Sequence, residues 1–187
     1  MDLLRYVDRA ASLMMDPALF SRFVLGVPLR AYQLEVARAV LDSVLGRRGL
    51  TFAVMMSRQA GKNETAAQLE ALLLLHFQHR GGFLVKASPT FQPQTVNSLL
   101  RLEARLQNPL SRGRWRRERG YMLRLGRARA VFLSAQPSAS VVGATASILL
   151  EADEAQDIPE DKWNKDFRPM GAATNVTTVL WGTAWTP

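Results

Sequence analysis

One stretch of the chain decides its fold: Thr51-Phe52-Ala53-Val54-Met55-Met56-Ser57-Arg58-Gln59-Ala60-Gly61-Lys62-Asn63-Glu64. It contains an apolar strand, a tight loop that ends in Gly-Lys, and the start of a helix, which are the parts of a phosphate-binding loop. Gly61 allows the backbone to approach an oxyanion, and the N–H groups of the loop and of the helix N-terminus point toward that anion. Lys62 adds a mobile positive charge. The stretch therefore predicts a strand–loop–helix unit that binds phosphate groups.

A second motif, Ile148-Leu149-Leu150-Glu151-Ala152-Asp153-Glu154, follows about ninety residues later. An apolar strand that ends in Asp-Glu can present one carboxylate to a magnesium ion and the next to an attacking water. Taken alone, the loop is also compatible with an ordinary strand–turn–helix, and the acidic pair with a solvated strand end. The order and spacing of the two motifs together predict a nucleotide-hydrolysing motor.

The loop departs from the usual G-x-x-x-x-G-K-[ST] pattern at two positions. Met56 stands where the first glycine is usual, and Asn63 replaces the hydroxyl residue that binds magnesium. The carbonyl oxygen of an asparagine is a hard, neutral ligand that can take the place of the hydroxyl, but it reaches further. We therefore expect Asn63 to contact the metal, with a weaker affinity than the usual residue.

The composition is that of a globular protein. The chain has 187 residues, of which 48% are hydrophobic and 21% are charged. These values fit one α/β domain with a substantial core and exclude a disordered chain. The absence of cysteine excludes disulfides and thiolate metal sites. No apolar stretch has the length of a membrane span, and the N-terminus lacks the layout of a signal peptide.

The net charge of +8 is unevenly distributed along the chain. The window from Arg101 to Arg129 holds ten arginines but only two acids, whereas Glu151 to Asp166 is mainly acidic. A basic window indicates a polyanionic partner. A solvated surface in a chain that prefers arginine to lysine explains the window equally well, so both interpretations stay open.

Strands separated by helices predict a mainly parallel sheet. Apolar periodicity and capping residues predict helices over 3–15, from Asp16-Pro17, from Arg30, over 62–79 and from 92 or 93 to 106. Strands are predicted over 51–56, 83–87, 147–153 and 177–181, with a hairpin formed by 121–125 and 128–133. The basic stretch 111–120 is predicted to be a loop.

Several motifs resemble those of phage terminase large subunits, the motors that pump DNA into viral capsids. The segment Ser57-Arg58-Gln59-Ala60-Gly61-Lys62 is similar to the arginine-containing phosphate loop of these proteins. Further similar segments are the adenine-side segment from Asp16-Pro17 to Tyr32-Gln33, the second motor motif Ala87-Ser88-Pro89-Thr90, the Walker B motif Leu150-Glu151-Ala152-Asp153-Glu154-Ala155 and the coupling motif Trp181-Gly182-Thr183-Ala184. The resemblance covers roughly residues 16–187.

The resemblance implies an α/β fold of the P-loop NTPase class (ASCE/RecA-like), with three layers and a mainly parallel central sheet. Residues 1–187 would form a single ATPase domain, in which the helical segment 1–48 contributes the adenine side; the family's nuclease domain would be absent from this fragment. The implied function is ATP hydrolysis that drives double-stranded DNA into a viral procapsid, with ATP and Mg²⁺ as cofactors. The implied partners are double-stranded DNA, the portal protein, the small terminase subunit and other copies of the chain in a ring. The implied location is the host-cell cytoplasm, at the procapsid portal, without a membrane.

Catalytic and metal-binding roles follow from the resemblance, position by position. Lys62 would neutralise the β- and γ-phosphates, and Arg58 could reach the γ-phosphate from its own subunit. Asp153 would hold magnesium through water, with Asn63 as a second ligand. Glu154 would orient and deprotonate the attacking water as the catalytic base.

The resemblance also implies the nucleotide contacts. Gln33 would read the adenine edge, with Tyr32 stacking nearby. The other ATP-binding residues would be Ser57, Arg58, Gln59, Ala60, Gly61, Lys62, Asn63 and Glu64. Gly182 and Thr183 would couple hydrolysis to movement. Glu151, two residues before the metal carboxylate and on the same strand face, is the alternative base.

Members of the family often carry an arginine just before the glycine ahead of the Walker B strand, which acts on a neighbour's nucleotide. Here the segment reads Ser140-Val141-Val142-Gly143, so Val142 stands at the usual position. Arg124, Arg127 and Arg129 in the predicted hairpin are candidates to replace that arginine. An arginine finger accelerates hydrolysis by about 10³ to 10⁵, so its absence would leave a slow enzyme.

Two other functions fit the sequence. Asp153-Glu154-Ala155-Gln156 resembles the DEAH-type box of superfamily 2 helicases and restriction-type translocases, and Gly182-Thr183-Ala184 resembles their third motif, although Ser57-Arg58-Gln59 is not the usual helicase loop. Asn63 and the missing arginine would also suit a nucleotide-binding, DNA-binding module with little turnover. Strand separation on a forked duplex identifies a helicase, and tight ATP binding without phosphate release identifies such a module.

Overall fold

The computed structural model describes residues 12–139, 141 and 144–184. In these residues, seven strands form a single sheet. They are β1 (Thr51–Met56), β2 (Gly82–Ser88), β3 (Trp115–Glu118), β4 (Met122–Leu125), β5 (Ala128–Ser134), β6 (Leu149–Ala152) and β7 (Thr178–Thr183). Their order is β1-β7-β6-β2-β5-β4-β3. The first five strands of that order are parallel, and β4 and β3 are added by antiparallel pairing. The prediction of a mainly parallel sheet is therefore confirmed.

The helices alternate with the strands along the chain. They are α1 (Pro17–Leu19, continued by Phe20–Val24), α2 (Ala31–Leu45), α3 (Lys62–Phe77), α4 (Phe91–Thr95, continued by Val96–Arg105), the short α5 (Ala155–Asp157) and α6 (Glu160–Lys162, continued by Trp163–Phe167 and Arg168–Ala172). Among the described residues, no helix combines the length and the apolar character that a membrane span needs.

Alternate residues of β2 show that helices cover both faces of the sheet. Lys86 faces α3, where it is bonded to Glu70, whereas Val85 and Ala87 belong to the cluster that contains Phe167 of α6. Because successive side chains of a strand point to opposite faces, the two clusters of buried residues lie on opposite sides of the sheet. The three-layer α/β fold expected from the sequence is therefore confirmed.

Helix α3 is the central helix of the fold. Its residues 65–75 are all buried, because it packs against β5 of the sheet and against both α2 and α4. A helix that is buried on every side has no separate polar face, and the three polar residues of this stretch, Thr65, Gln68 and Glu70, are buried with the apolar ones. The packing holds the first residue, Lys62, at a defined position beside the sheet.

The N-terminal helix start agrees with the sequence prediction. The carboxylate of Asp16 accepts a hydrogen bond from the Ala18 N–H at 2.9 Å, and Pro17 occupies the first turn. Both features are typical of helix N-termini. Of the predicted helix over 3–15, residues 12–15 are helical and the remainder lies outside the described residues.

The prediction of a loop over 111–120 is wrong for its central four residues, whereas residues 111–114 and 119–120 are turns. The segment Trp115–Glu118 forms β3, which pairs with β4 at the edge of the sheet. Its sequence lacks the apolar alternation of a half-buried strand, since three of its four residues are charged. Charged side chains are common on edge strands, where they prevent pairing with other chains. The strand therefore depends on pairing with its neighbour more than on its own residues.

Candidate functional site

Three segments meet at the carboxyl edge of the parallel strands. The loop that follows β1 connects it to α3, the acidic pair Asp153-Glu154 follows β6, and Thr183 ends β7. Met56 at the end of β1 lies in register with Thr183. Ligands of open α/β sheets bind outside this edge, so the three motifs that the sequence singled out converge where a ligand is expected.

Lys62 lies at the centre of the site. Its Nζ is 3.2 Å from Oδ1 of Asp153 and 2.5 Å from Oε1 of Glu154. It also donates a hydrogen bond to Oγ1 of Thr183 at 3.3 Å. One lysine therefore contacts both acids of the second motif and the last residue of β7, which connects the three predicted motifs directly.

Glu154 is held by three side chains. Its Oε2 accepts hydrogen bonds from Thr183 Oγ1 at 2.7 Å and from Gln156 Nε2 at 2.8 Å, and its Oε1 contacts Lys62. Its backbone lies in the left-handed region, with φ of 46°, which turns the chain sharply at the end of β6. A non-glycine residue in this region is uncommon and is often found at functional sites.

These contacts set the protonation of Glu154. Partial burial acts to raise its pKa, but the hydrogen bonds from Gln156, Lys62 and Thr183, together with the positive charge of Lys62, outweigh burial and lower the pKa. Glu154 is therefore ionised at neutral pH. An ionised carboxylate is the form that can accept a proton from water.

Asp153 is buried and firmly positioned. Its backbone N–H donates to the carbonyl of Ala87 at 2.8 Å, and its Oδ2 accepts a hydrogen bond from Ser98 Oγ of α4 at 3.2 Å. Near the same cavity, Oδ1 of Asn63 is buried and has no hydrogen-bond partner among the described residues. A buried carbonyl oxygen without a partner is costly unless something binds it. Carboxylate and amide oxygens are the donor types that Mg²⁺ prefers, so this donor set fits that ion.

The loop is held against α2 by Tyr32 and Gln33. Tyr32 Oη donates to the Ala60 carbonyl at 2.7 Å, and Gln33 Nε2 lies 3.2 Å from the carbonyl oxygens of both Ala60 and Gly61. Gly61 has φ of +83°, and a Cβ at this position would collide with the amide nitrogen of Gln33. The positive φ therefore favours glycine here, and a side chain would also displace the Gln33 amide from the loop carbonyls.

The observed contacts of Tyr32 and Gln33 differ in kind from the predicted adenine contacts. The Gln33 amide has protein partners on both sides, since its Oε1 also accepts from the Arg30 N–H at 2.8 Å. Neither residue lines the cavity described below. The structure thus gives both residues a role in fixing the loop, and the adenine role stays a prediction.

A cavity of about 680 Å³ opens beside the loop. Its lining contains Ser57, Arg58, Gln59, Gly61, Lys62, Asn63, Glu64, Gln94, Arg101, Glu154, Asp157 and Thr183. Most of the residues predicted from the sequence therefore surround one space. Of the others, Ala60 and Gly182 do not line it, and Asp153 lies behind Lys62.

Sequence reasoning missed five polar residues of the site. Gln94, Ser98 and Arg101 come from α4, and Gln156 and Asp157 follow the acidic motif directly. Of these, Gln156 belongs to the stretch that resembles a DEAH-type box, and the others belong to no motif that the sequence singles out. The only signal was the closeness of Gln94 and Ser98 to the predicted motif at 87–90, and of Gln156 to Glu154.

A buried polar cluster lies behind the site. Lys86 Nζ donates to Glu70 Oε1 at 2.8 Å, and Trp181 Nε1 donates to Glu151 Oε1 at 2.7 Å. Burial and the negative charge of Glu70 raise the pKa of Glu151 well above its ordinary value, so its neutral form is favoured more than that of an ordinary glutamate. Glu151 is fully buried and does not line the cavity. It is therefore poorly placed to act as the alternative base on a water molecule in that cavity.

We expect Lys86→Ala to lower the free energy of unfolding by about 3–5 kcal/mol, because it leaves the charge of Glu70 buried without a partner. Glu151→Gln introduces a neutral amide of the same shape at a carboxyl whose raised pKa favours the neutral acid, so it is the matched control, with an expected change within about 1 kcal/mol. Urea denaturation at pH 7 measures both. A larger loss for Glu151→Gln than for Lys86→Ala would contradict the assigned charges.

The arginines of the hairpin lie at the other end of the sheet. Arg124 and Arg129 both contact Glu118, with Nε–O distances of 3.0 and 3.5 Å, and Arg127 donates to the His79 carbonyl at 3.5 Å. Strands β6, β2 and β5 lie between β7 and β4 in the sheet, so these side chains do not belong to the cavity of their own chain. Val142 lies outside the described residues. A role of these arginines on a neighbouring chain stays a prediction.

Solved structures with a similar fold come from bacteriophages. The large terminase ATPase domain of Thermus phage P74-26 has a TM-score of 0.72 and 20% identity, over 92% of this chain and 71% of that chain. The large terminase of bacteriophage HK97 has a TM-score of 0.65 and 18% identity, over 90% and 37%. A large terminase from a thermophilic bacteriophage has a TM-score of 0.61 and 18% identity, over 84% and 39%.

No protein-family model matches the chain, and neither does any curated protein. At identities of 18–20%, the likeness to the solved structures is one of fold. The structural likeness covers about nine tenths of the chain. The sequence motifs that resemble those of terminases extend over a similar share, roughly residues 16–187. The chain has the α/β P-loop fold of the large terminase ATPase domains of bacteriophages.

Proposed function

We propose that this chain is an ATPase and serves as the motor domain of a phage terminase large subunit, which uses ATP hydrolysis to move double-stranded DNA into a procapsid. One observation carries the proposal: Lys62 Nζ contacts Asp153, Glu154 and Thr183 within 3.3 Å, at the end of a glycine-containing loop. A cation, a metal carboxylate, a base and the last residue of β7 are thereby brought together. Residues 1–187 would form this single domain.

The side chains support a defined division of roles. Loop N–H groups and Lys62 bind the β- and γ-phosphates, which is the usual function of such a loop. Glu154 is ionised and accepts hydrogen bonds from Gln156 and Thr183, so its orientation is fixed for accepting a proton from water. Arg58 lines the cavity and can reach the γ-phosphate from its own chain.

Asp153 and Asn63 would hold Mg²⁺. The cation neutralises phosphate charge when it is bound, which makes the terminal phosphate easier to attack. In the part of the chain that the structure describes, no group of three or more histidine, aspartate or glutamate side chains lies close enough together to hold a metal ion without other ligands. Magnesium in nucleotide sites is held by one or two protein oxygens plus phosphates and water, so two donors suffice.

The basic surface supports DNA as the partner. Arg112, Arg116 and Arg119 are exposed and, among the described residues, have no carboxylate within ion-pair distance. They lie around β3, at the edge of the sheet away from the cavity. Such arginines suit contacts with phosphates of any sequence, which a packaging motor requires. By the same proposal, the portal protein, the small terminase subunit and further copies of the chain are partners in the host-cell cytoplasm.

The test is magnesium-dependent phosphate release from ATP, measured with and without intact duplex DNA and with a forked duplex. We expect hydrolysis to need Mg²⁺ and to be stimulated by intact duplex, without separation of the forked strands. Strand separation would support a helicase instead. Tight ATP binding without phosphate release, both with and without DNA, would indicate a nucleotide-binding, DNA-binding module with little turnover.

A further inference from the structure

We infer that Arg101 contacts the terminal phosphate of a nucleoside triphosphate that is bound by the same chain. To make this contact, Arg101 would give up its ion pair with Glu64. The inference rests on the proposed function and adds a residue to it. Arg101 is 46% exposed and lines the cavity, and its Nη1 lies 3.5 Å from Oε2 of Glu64. It belongs to none of the motifs that the sequence singles out.

Helix α4 carries this arginine on the face that meets the site. Residues three and seven positions apart share one face of a helix, so Ser98, Arg101 and Arg105 are aligned. Ser98 donates to Oδ2 of Asp153 at 3.2 Å, which fixes the helix against the metal carboxylate. Arg101 follows one turn later and lies over the first turn of α3, where Glu64 is located. The helix thereby contacts both the acidic motif and the phosphate loop.

Glu64 does not depend on Arg101 for its hydrogen bonds. Its Oε1 accepts from Gln68 Nε2 at 2.8 Å and lies 3.4 Å from Nε of Arg105. It also lies in the first turn of α3, where the helix dipole stabilises a negative charge. Glu64 would therefore remain compensated if Arg101 turned away from it.

Arg101 can exchange its ion pair with Glu64 for a contact with a phosphate at little cost in stability. Its pair with Glu64 is long and half-exposed, and ion pairs of that kind contribute little to stability. A phosphate offers the planar guanidinium two parallel charge-assisted hydrogen bonds, which a single carboxylate oxygen at 3.5 Å does not. Phosphates in the loop are therefore the better partner.

The position of Arg101 selects the terminal phosphate. The terminal phosphate is the one nearest to the catalytic base, and Arg101 comes from the helix that contacts Asp153, the neighbour of that base. Arg105 is only 22% exposed and does not line the cavity, so it stays with Glu64. Lys62 is shared between two carboxylates. Arg101 is thus the cation of α4 that a third phosphate group can reach.

Calorimetric titration with a non-hydrolysable ATP analogue and with ADP, both with Mg²⁺ and without DNA, tests the inference. Arg101→Ala is expected to weaken binding of the analogue about tenfold or more, because it removes both charge-assisted hydrogen bonds to the terminal phosphate, and to change ADP binding by less than about twofold. Arg101→Lys keeps the charge but loses the paired hydrogen bonds, so a loss of about threefold for the analogue alone is expected. Arg168→Ala, which removes an exposed arginine of α6 that does not line the cavity, is the control and should match the parent.

The remaining outcomes separate the two proposals. If the parent binds both nucleotides and Arg101→Ala weakens both equally, or neither, the inference about Arg101 is overturned while the proposed function stands. If the parent binds neither nucleotide, the proposed function fails and this inference fails with it. Thermal unfolding of each variant shows whether a loss reflects binding; should Arg101→Ala not fold, Arg101→Lys decides by the same comparison.

Discussion

Lys62→Ala is expected to weaken ATP binding by about 100-fold or more, since each hydrogen bond to a charged group contributes roughly 1.5–3 kcal/mol and the lysine is proposed to contact two phosphates. The effect is large because Lys62 is the cation at the centre of the site and is only 7% exposed. Fluorescence titration with a labelled ATP analogue measures it. Binding of the analogue with parental affinity would show that the loop does not hold the phosphates.

Two checks isolate this effect. Lys162 has an ion pair with Asp166 at 2.6 Å on α6, so Lys162→Ala removes a paired lysine away from the cavity and should bind ATP as the parent does. Lys62→Ala also removes the cation between Asp153 and Glu154, so a change in stability is expected as well. Urea unfolding of the variant, without nucleotide, separates that change from the loss of affinity.

Glu154→Gln is expected to lower the rate of ATP hydrolysis by about 10² to 10⁴, which is the usual contribution of a general base. Glutamine keeps the shape of the side chain and can still accept a hydrogen bond from Thr183, but it cannot take a proton from water. ATP binding should be nearly unchanged, because the substitution leaves in place both the loop N–H groups and Lys62, which would hold the phosphates. Single-turnover hydrolysis and titration with ATP measure the two quantities separately.

The control for this variant is Glu160→Gln, which changes an exposed acid on α6 and should hydrolyse ATP at the parental rate. The pH dependence gives an independent check. Because the pKa of Glu154 is lowered, the midpoint of the acid-side decline in rate should lie below the ordinary pKa of a glutamate. Parental turnover by Glu154→Gln would assign the base to another group.

Local residue patterns were sufficient for the elements that carry the site. The apolar run of β1, the glycine with positive φ and the lysine at the start of α3 are adjacent in sequence, and short-range steric and hydrogen-bonding preferences determine such units. The hairpin of β4 and β5 was predicted for the same reason, because Gly126 occupies a left-handed turn between two apolar strands.

Elements that depend on distant neighbours were not predictable in this way. Strand β3 is largely charged, and only its pairing with β4 makes it a strand. Gln33 and Tyr32 were predicted from resemblance to contact adenine, whereas their observed partners are the carbonyls of Ala60 and Gly61, nearly thirty residues away in sequence. No local pattern encodes such a contact.

The sequence by itself determined the α/β class, the strand–loop–helix unit of β1 and α3 and the acidic pair at the end of β6, because short contiguous stretches of residues specify each of them. Only the tertiary structure decided which side chains share the cavity. The strand order puts β7 between β1 and β6, so Thr183 meets Lys62 and Glu154. The packing of α4 on α3 brings Ser98 and Arg101 to the same place. Packing between segments that are distant in sequence depends on the whole core, so no short sequence motif predicts it.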